Sequence, residues 1–289
     1  MGLLDVVLGG LVLGGMYGLV ALGFNLQYGV ARIMNLAYGE LLMGAAFAAF
    51  FLVTVASVDP MLGLLLIVPV AFGASWLLFR YLMVPLVRRA RSREQLEAET
   101  ILSTFGLLYL LKGGAMVSFG GNLRSYSYLN FPVHFLDTTF PANRLLAFAA
   151  AGLIALALGL LLGRTRTGTA MRAMAIDPLA ARLMGVETER LAALAFAAGG
   201  ALVAAAGTLV STFLSFDPTV GVEFTMKALV VMMMGGVGNM MGSLLAGLLL
   251  GVAEALCSRF VDGGLTLAVA FALFLLVLLF RPRGLFRAG

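Results

Sequence analysis

Eight polar residues stand out in otherwise apolar sequence as groups that could meet a solute. They are Asn25, Gln27, Arg32, Asn35, Tyr38 and Glu40 near the start, and Lys227 and Asn239 far along the chain. Amides, a phenol, a carboxylate and two cations set among Leu, Val, Ala and Phe can line a hydrophilic path or lock helices together. An ionisable group at the centre of a bilayer costs at least about 2.5 kcal/mol, so each one needs a reason. Glu40 and Glu254 lie deepest in apolar sequence, whereas Arg32 and Lys227 lie nearer segment ends, where long stems can snorkel. The cluster Arg32, Asn35, Tyr38 and Glu40 reads as path lining. Glu254 reads at least as well as a helix-pairing residue.

A second polar stretch, Gly163 to Arg190, carries Arg164, Arg166, Arg172, Arg182 and Arg190. Within it Asp177-Pro178 can cap a short helix, and Gly185 can end it. Ala180, Ala181, Leu183 and Met184 would give that helix a small apolar face. Such an element suits docking of a soluble partner; it suits equally an ordinary solvated loop that only sets topology.

The elements that hold these groups must be membrane helices. Hydrophobic residues make up 62% of the 289, charged residues only 11%, against roughly 25% charged in soluble domains. Mean hydropathy is +1.05. Continuous apolar runs fit spans of about 20 residues at Val6–Phe24, Leu36–Ala56, Met61–Met83, Ile101–Phe119, Asn143–Leu162, Leu191–Leu214, Met226–Cys257 and Leu265–Phe280. Barrel strands alternate in short segments, so a β-barrel is excluded. The expectation is an all-α, polytopic single domain over residues 1–289, with about eight to ten membrane segments. The start, Met-Gly-Leu-Leu-Asp, lacks the basic region of a secretory signal, so the first run is expected to stay as a span.

Net charge is +5 and the pI near 9.7, which in a soluble chain would suggest nucleic acid. Here the arginines cluster at Arg88, Arg89, Arg91 and Arg93, at 164–190, and at Arg281, Arg283 and Arg287. The positive-inside rule puts all three clusters, and the C-terminus, in the cytoplasm. Residues 120–142 then form an outer loop with Tyr126, Tyr128, Phe131 and Phe135 at the interface. The lone His134 there is read as incidental, and the side of the N-terminus stays open. No P-loop, no His-Glu-x-x-His and no Ser/His/Asp set is present, so neither catalysis nor metal binding is expected. Cys257, the one cysteine, cannot form an intrachain disulfide.

Two irregular stretches break the apolar pattern. One is the polar stretch from Asn25 to Glu40. The other lies in Met226–Cys257, about 48 Å long as one helix, whose middle, Gly235 to Gly242, is poor helix interior. We expect a broken or re-entrant pair of segments there, lining a cavity or buried in protein. Residues 35–42 and 239–245 faintly resemble one another, as an internal repeat would. Gly10-x3-Gly14-x3-Gly18 and Gly247-x3-Gly251 read as helix packing, and Met232–Met234 with Met240–Met241 as adaptable core.

Tyr17-Gly-Leu-Val-Ala-Leu-Gly-Phe-Asn25 followed by Tyr28-Gly-Val-Ala-Arg-Ile-Met-Asn35-Leu-Ala-Tyr-Gly39-Glu40 resembles the opening of LivH-type permeases of branched-chain amino acid ABC transporters. Gly168 to Val186 is similar to that family's ATPase-coupling segment. Lys227-Ala to Gly238, then Gly242 and Gly251-Val-Ala-Glu254, resembles its C-terminal signature. The resemblance runs from about residue 10 to 284. It implies a permease subunit of an ATP-driven importer for branched-chain or other hydrophobic amino acids in a bacterial inner membrane. Arg172, Asp177, Pro178, Ala181, Arg182 and Gly185 would then form the coupling element. The implied partners are two cytoplasmic ATPases carrying ATP and Mg, a second permease (a second copy or a related chain), and an extracytoplasmic binding protein. Tyr38 replaces the family's usual histidine, and Asn239-Met-Met departs from its usual residues. These departures leave amides, urea or another small solute open as cargo. An ion-coupled secondary transporter built on Glu40 and Glu254 is the rival reading.

Overall fold

The computed structural model describes residues 3–90, 92–135, 138–261, 263–281 and 284–286. Arg91, Arg283 and Arg287 of the basic clusters lie outside the described residues, as do the side chains of Arg93 and His134. The helices are α1 (Leu3–Ala31), α2 (Tyr38–Thr54), α3 (Pro60–Leu78), α4 (Val84–Arg89), α5 (Arg93–Phe119), α6 (Ala142–Arg164), α7 (Arg166–Ile176), α8 (Pro178–Leu183), α9 (Thr188–Ser211), α10 (Val220–Gly235), α11 (Met240–Phe260) and α12 (Thr266–Phe280). A π-helical turn, Phe79–Met83, joins α3 to α4 in one rod. Six helical stretches are long and apolar enough to cross a membrane, and α2 and α12 are shorter apolar helices. With α10, these fall within the eight to ten segments expected.

Local sequence explains most helix ends. Asp59 accepts from the Met61 amide at 2.7 Å, with Pro60 at the first helical position of α3. Ser92 caps α5 through the Gln95 amide, at 3.1 Å. The polar stretch after Phe24 is less irregular than its composition suggests. Asn25 and Gln27 remain in α1, which ends only where Arg32 takes a left-handed φ of 54°. The break is confined to the few residues before Tyr38. The outer loop also holds a short hairpin, β1 (Pro132–Phe135) with β2 (Thr138–Pro141), paired antiparallel with Val133 opposite Phe140. Its Val, Phe and Thr residues favour extended backbone.

The long apolar run divides as expected. Gly236 (φ 95°) and Gly238 (φ 85°) end α10, and the Asn239 side chain caps α11 through the Gly242 amide, at 3.0 Å. The two ends of the molecule follow from contacts. Arg88 pairs with Glu189 at 3.3 Å, so two arginine clusters share one end. Tyr126 bonds Ser211 and Tyr128 bonds Asp59 at the other. Gly9 lies against the Arg144 side chain at the start of α6, so α1 begins at the hairpin end and runs towards the arginine end.

The helix contacts favour other partners for an internal repeat than residues 35–42 and 239–245. They pair the set α1, α2, α3 with the set α9, α10, α11. In each set a long helix is followed by an irregular return and a helix that starts inside the layer. Packing is exchanged between the sets: α3 lies on α9 as α11 lies on α1, and α2 meets α10 directly. Tyr38, at the start of α2, sits beside Gly23, eight residues before the end of α1 and thus about 12 Å inside it. Small residues make the close approach possible. A Cβ on Gly10 or Gly14 would come within 2.8 Å of α11 backbone at Gly251 or Gly247, which confirms the packing role of those spacings.

Candidate functional site

The starts of α2 and α10 meet at Gly39 and Gly221. A Cβ on Gly39 would strike the Gly221 carbonyl oxygen and the Thr225 hydroxyl, and one on Gly221 would come within 2.7 Å of the Gly39 oxygen. The Gly39 amide donates to Thr225 Oγ1 at 2.9 Å, and that hydroxyl donates to the Gly221 carbonyl at 2.9 Å. The Glu40 carboxyl carbon lies directly over Gly221. Glu40 is 2% exposed, and neither of its carboxylate oxygens has a hydrogen-bond partner among the described residues. A buried carboxylate without donors is costly, so this position calls for a proton or a cationic group.

Other candidates from the first set are already engaged. Asn25 donates to Ser243 Oγ (2.6 Å) and to the Asn239 and Gly236 carbonyls, and accepts from the Gly238 amide at 2.5 Å. It thereby supplies the backbone bonds lost at the α10–α11 break. Asn239 also donates to the Phe286 carbonyl, and the Leu285 amide donates to Met234, so residues 284–286 latch the same break. Tyr38 is fully buried against Phe24 and reaches the Gly23 carbonyl at 3.4 Å; Gly199 leaves room for its ring. Asn35 accepts from the Ala37 amide, and Gln27 donates to the Ile33 carbonyl at 3.3 Å.

Lys227 is buried in an ion pair instead of facing open space. Its ammonium lies 3.1 Å from Glu254 Oε2, 2.9 Å from the Tyr17 hydroxyl and 2.8 Å from Glu223. Tyr17 donates to Glu254 at 2.8 Å. These residues tie α1, α10 and α11 together, which favours helix pairing for Glu254.

The candidates from Arg172 to Gly185 form an outboard element capped at both ends. Asp177 Oδ1 accepts from the Leu179 and Ala180 amides at 2.9 and 3.0 Å, and Pro178 opens α8. Gly185 (φ 82°) closes it, with the Gly185 amide on Arg182 and the Val186 amide on Ala181; this pairing satisfies the last carbonyls. The apolar face differs from the one expected. Ala181 is buried against the body of the protein, while Ile176, Leu179, Leu183 and Met184 are 70–85% exposed. Arg172 bonds locally to Gly163 and Thr169 on α7. Arg182 is exposed at the mouth of a cavity of about 1250 Å³ that Arg32 also lines. Arg32 further reaches the Ala175 carbonyl at 3.4 Å. One arginine therefore links the end of α1 to the α7–α8 element.

Sequence reasoning missed Thr225, which bonds the Gly39 amide beside Glu40, and Ser243, which accepts from Asn25. Their signal was faint, being single polar residues inside apolar helices. At the opposite end, burial and the Asp59 carboxylate push the Tyr128 phenol up to about 12, so it stays a donor to Asp59 at neutral pH.

A polytopic helical bundle with exchanged halves, a buried acid at their crossing and an outboard capped helix is the architecture of a membrane permease. Residues 6–278 match the family model for the permease component of branched-chain amino acid transport systems. The chain is 31% identical over 98% of its length, and 95% of the relative's, to the high-affinity branched-chain amino acid transport permease BraD of Pseudomonas aeruginosa. It is 32% identical to LivH of Salmonella typhimurium, over 98% of this chain and 94% of that one. A solved ABC transporter in an inward-facing conformation, described as of the metal-chelate type, aligns with 96% of this chain and 87% of its own at 19% identity and a TM-score of 0.48. The chain belongs to the branched-chain amino acid transport permease family.

Proposed function

We propose that this chain is the membrane permease of an ATP-driven importer for branched-chain or other hydrophobic amino acids. ATP hydrolysis takes place in two separate cytoplasmic ATPases, a second permease subunit completes the path, and an extracytoplasmic binding protein delivers cargo. The arginine-rich end and the C-terminus face the cytoplasm of a bacterial inner membrane. In this reading the ATPases grip α8, and Arg32 carries the movement of α7–α8 to the end of α1 and on to the break before Glu40.

The observation that carries the reading is α8 itself: a helix capped at both ends that leaves Leu179, Leu183 and Met184 exposed on a chain of a permease family. A solvated loop that only set topology would have no reason to hold three large apolar side chains rigidly in water. Membranes from cells with the tagged chain are solubilised in mild detergent, and co-purifying proteins are identified by mass. Two P-loop ATPases and a sister permease are expected with the native chain. Leu183→Asp, which touches no core, should lose the ATPases while staying folded. A native chain that purifies alone, under conditions that keep other transporters assembled, overturns the importer reading.

A further inference from the structure

The cavity shared by Arg32 and Arg182 extends along the α3–α4 rod to Trp76 and Arg80. Among the described residues five arginines and two glutamates line it, a surplus of three positive charges. Arg88 is paired with Glu189, and Arg190 with Glu187 at 3.7 Å. Arg80 has no hydrogen bond or ion pair among the described residues; its guanidinium lies over the Trp76 ring, 5.6 Å from the centroid. A smaller groove of about 460 Å³ shares Arg80, Val84, Arg88 and Glu189 and adds Tyr81, Pro85 and Arg89. Arg80 thus lines both.

Depth distinguishes the possible occupants. Arg80 follows Pro60 by twenty residues, about 30 Å of helix, which equals the thickness of the hydrocarbon core. Between them Leu65, Leu66, Val70 and Leu77 are exposed, as lipid-facing residues would be. Trp76 and Tyr81, 36% and 74% exposed, sit at the level where aromatic side chains meet headgroups. An acidic soluble partner would reach Arg182 and Arg190 from water, but Trp76 and Arg80 lie where lipid phosphates already are.

We propose that this cavity is a binding site for an anionic phospholipid. Its phosphate sits on Arg80, beside the Arg88–Glu189 pair, and an acyl chain lies along Trp76. The inference needs only that the chain is embedded in a bilayer, so it stands or falls apart from the importer reading. A lipid here would wedge between the α3–α4 rod and the α8–α9 junction, next to the Arg32 link.

Trp76 is the one tryptophan of the chain, so its fluorescence reports on this place. The full chain is reconstituted in phosphatidylcholine vesicles doped with brominated phosphatidylglycerol or, at equal mole fraction, brominated phosphatidylcholine. Quenching is normalised to emission in unbrominated lipid. Each arginine near an anionic lipid is worth about fivefold in enrichment. Half-quenching by the phosphatidylglycerol should therefore need a mole fraction at least about fivefold lower. Arg80→Gln should remove most of that preference, and Arg80→Lys should keep part of it. Equal quenching by the two lipids in the unaltered chain overturns the proposal and needs no variant. A full preference surviving in the double variant Arg80→Gln/Arg88→Gln also overturns it.

Discussion

The two exchanged halves treat their buried charge in opposite ways. In α9–α11, Lys227 and Glu254 neutralise each other and share the Tyr17 hydroxyl of α1. In α1–α3, Glu40 lies at the crossing of α2 with α10, with no donor on either oxygen among the described residues. One half has turned its charges into a clamp, and the other has left a charge available. An asymmetric pair of this kind separates a part that must hold from a part that must respond. It also moves Lys227 from the solute path, where its sequence position suggested it, towards the frame that supports the path.

That contrast can be broken or sharpened by three groups of substitutions, ranked by their effect on stability. Gly39→Val and Gly221→Val should each cost more than about 3 kcal/mol, because backbone and not a flexible side chain fills the space. Gly114→Val, on an open face of α5, should change stability by less than about 0.5 kcal/mol. Thermal unfolding followed by size-exclusion in detergent reads the difference; equal tolerance at Gly39 and Gly114 would mean the crossing is not tight.

Lys227→Ala comes next, at about 3 kcal/mol, because it strands Glu254 in a buried site. Lys227→Met with Glu254→Leu should recover most of that loss. A double variant as unstable as the single one contradicts a simple clamp. Glu40→Gln should leave stability unchanged or raise it by about 1 kcal/mol, since it removes an unpaired buried charge. Uptake of labelled amino acid by the assembled transporter should nonetheless fall about tenfold, the equivalent of a contact worth about 1.4 kcal/mol. Full uptake with Gln at position 40 would take Glu40 out of the path.

Much of the fold was legible because membrane spans are written in continuous hydrophobicity. The break in Met226–Cys257 was readable from glycines and excess length, and α8 from Asp177, Pro178 and Gly185. The apolar face of α8 was misjudged at Ala181, since only its packing against the body decides which side of a short helix faces water. The likeness of residues 35–42 to 239–245 has a local reason of the same kind. Asn35 and Asn239 look alike because both satisfy a chain break locally, through the Ala37 and Gly242 amides. That is local chemistry, not equivalent position.

By itself the sequence determined that this is a polytopic helical membrane protein, where its chain breaks, and which loop is outboard and capped. Those properties depend on residues close together along the chain, on hydropathy, helix capping and glycine. Only the tertiary structure decided that Lys227 meets Glu254 and that Glu40 finds no hydrogen-bond partner among the described residues. Pairing energies between buried charges depend on distances of a few ångströms across helices far apart in sequence, and no local pattern carries that information.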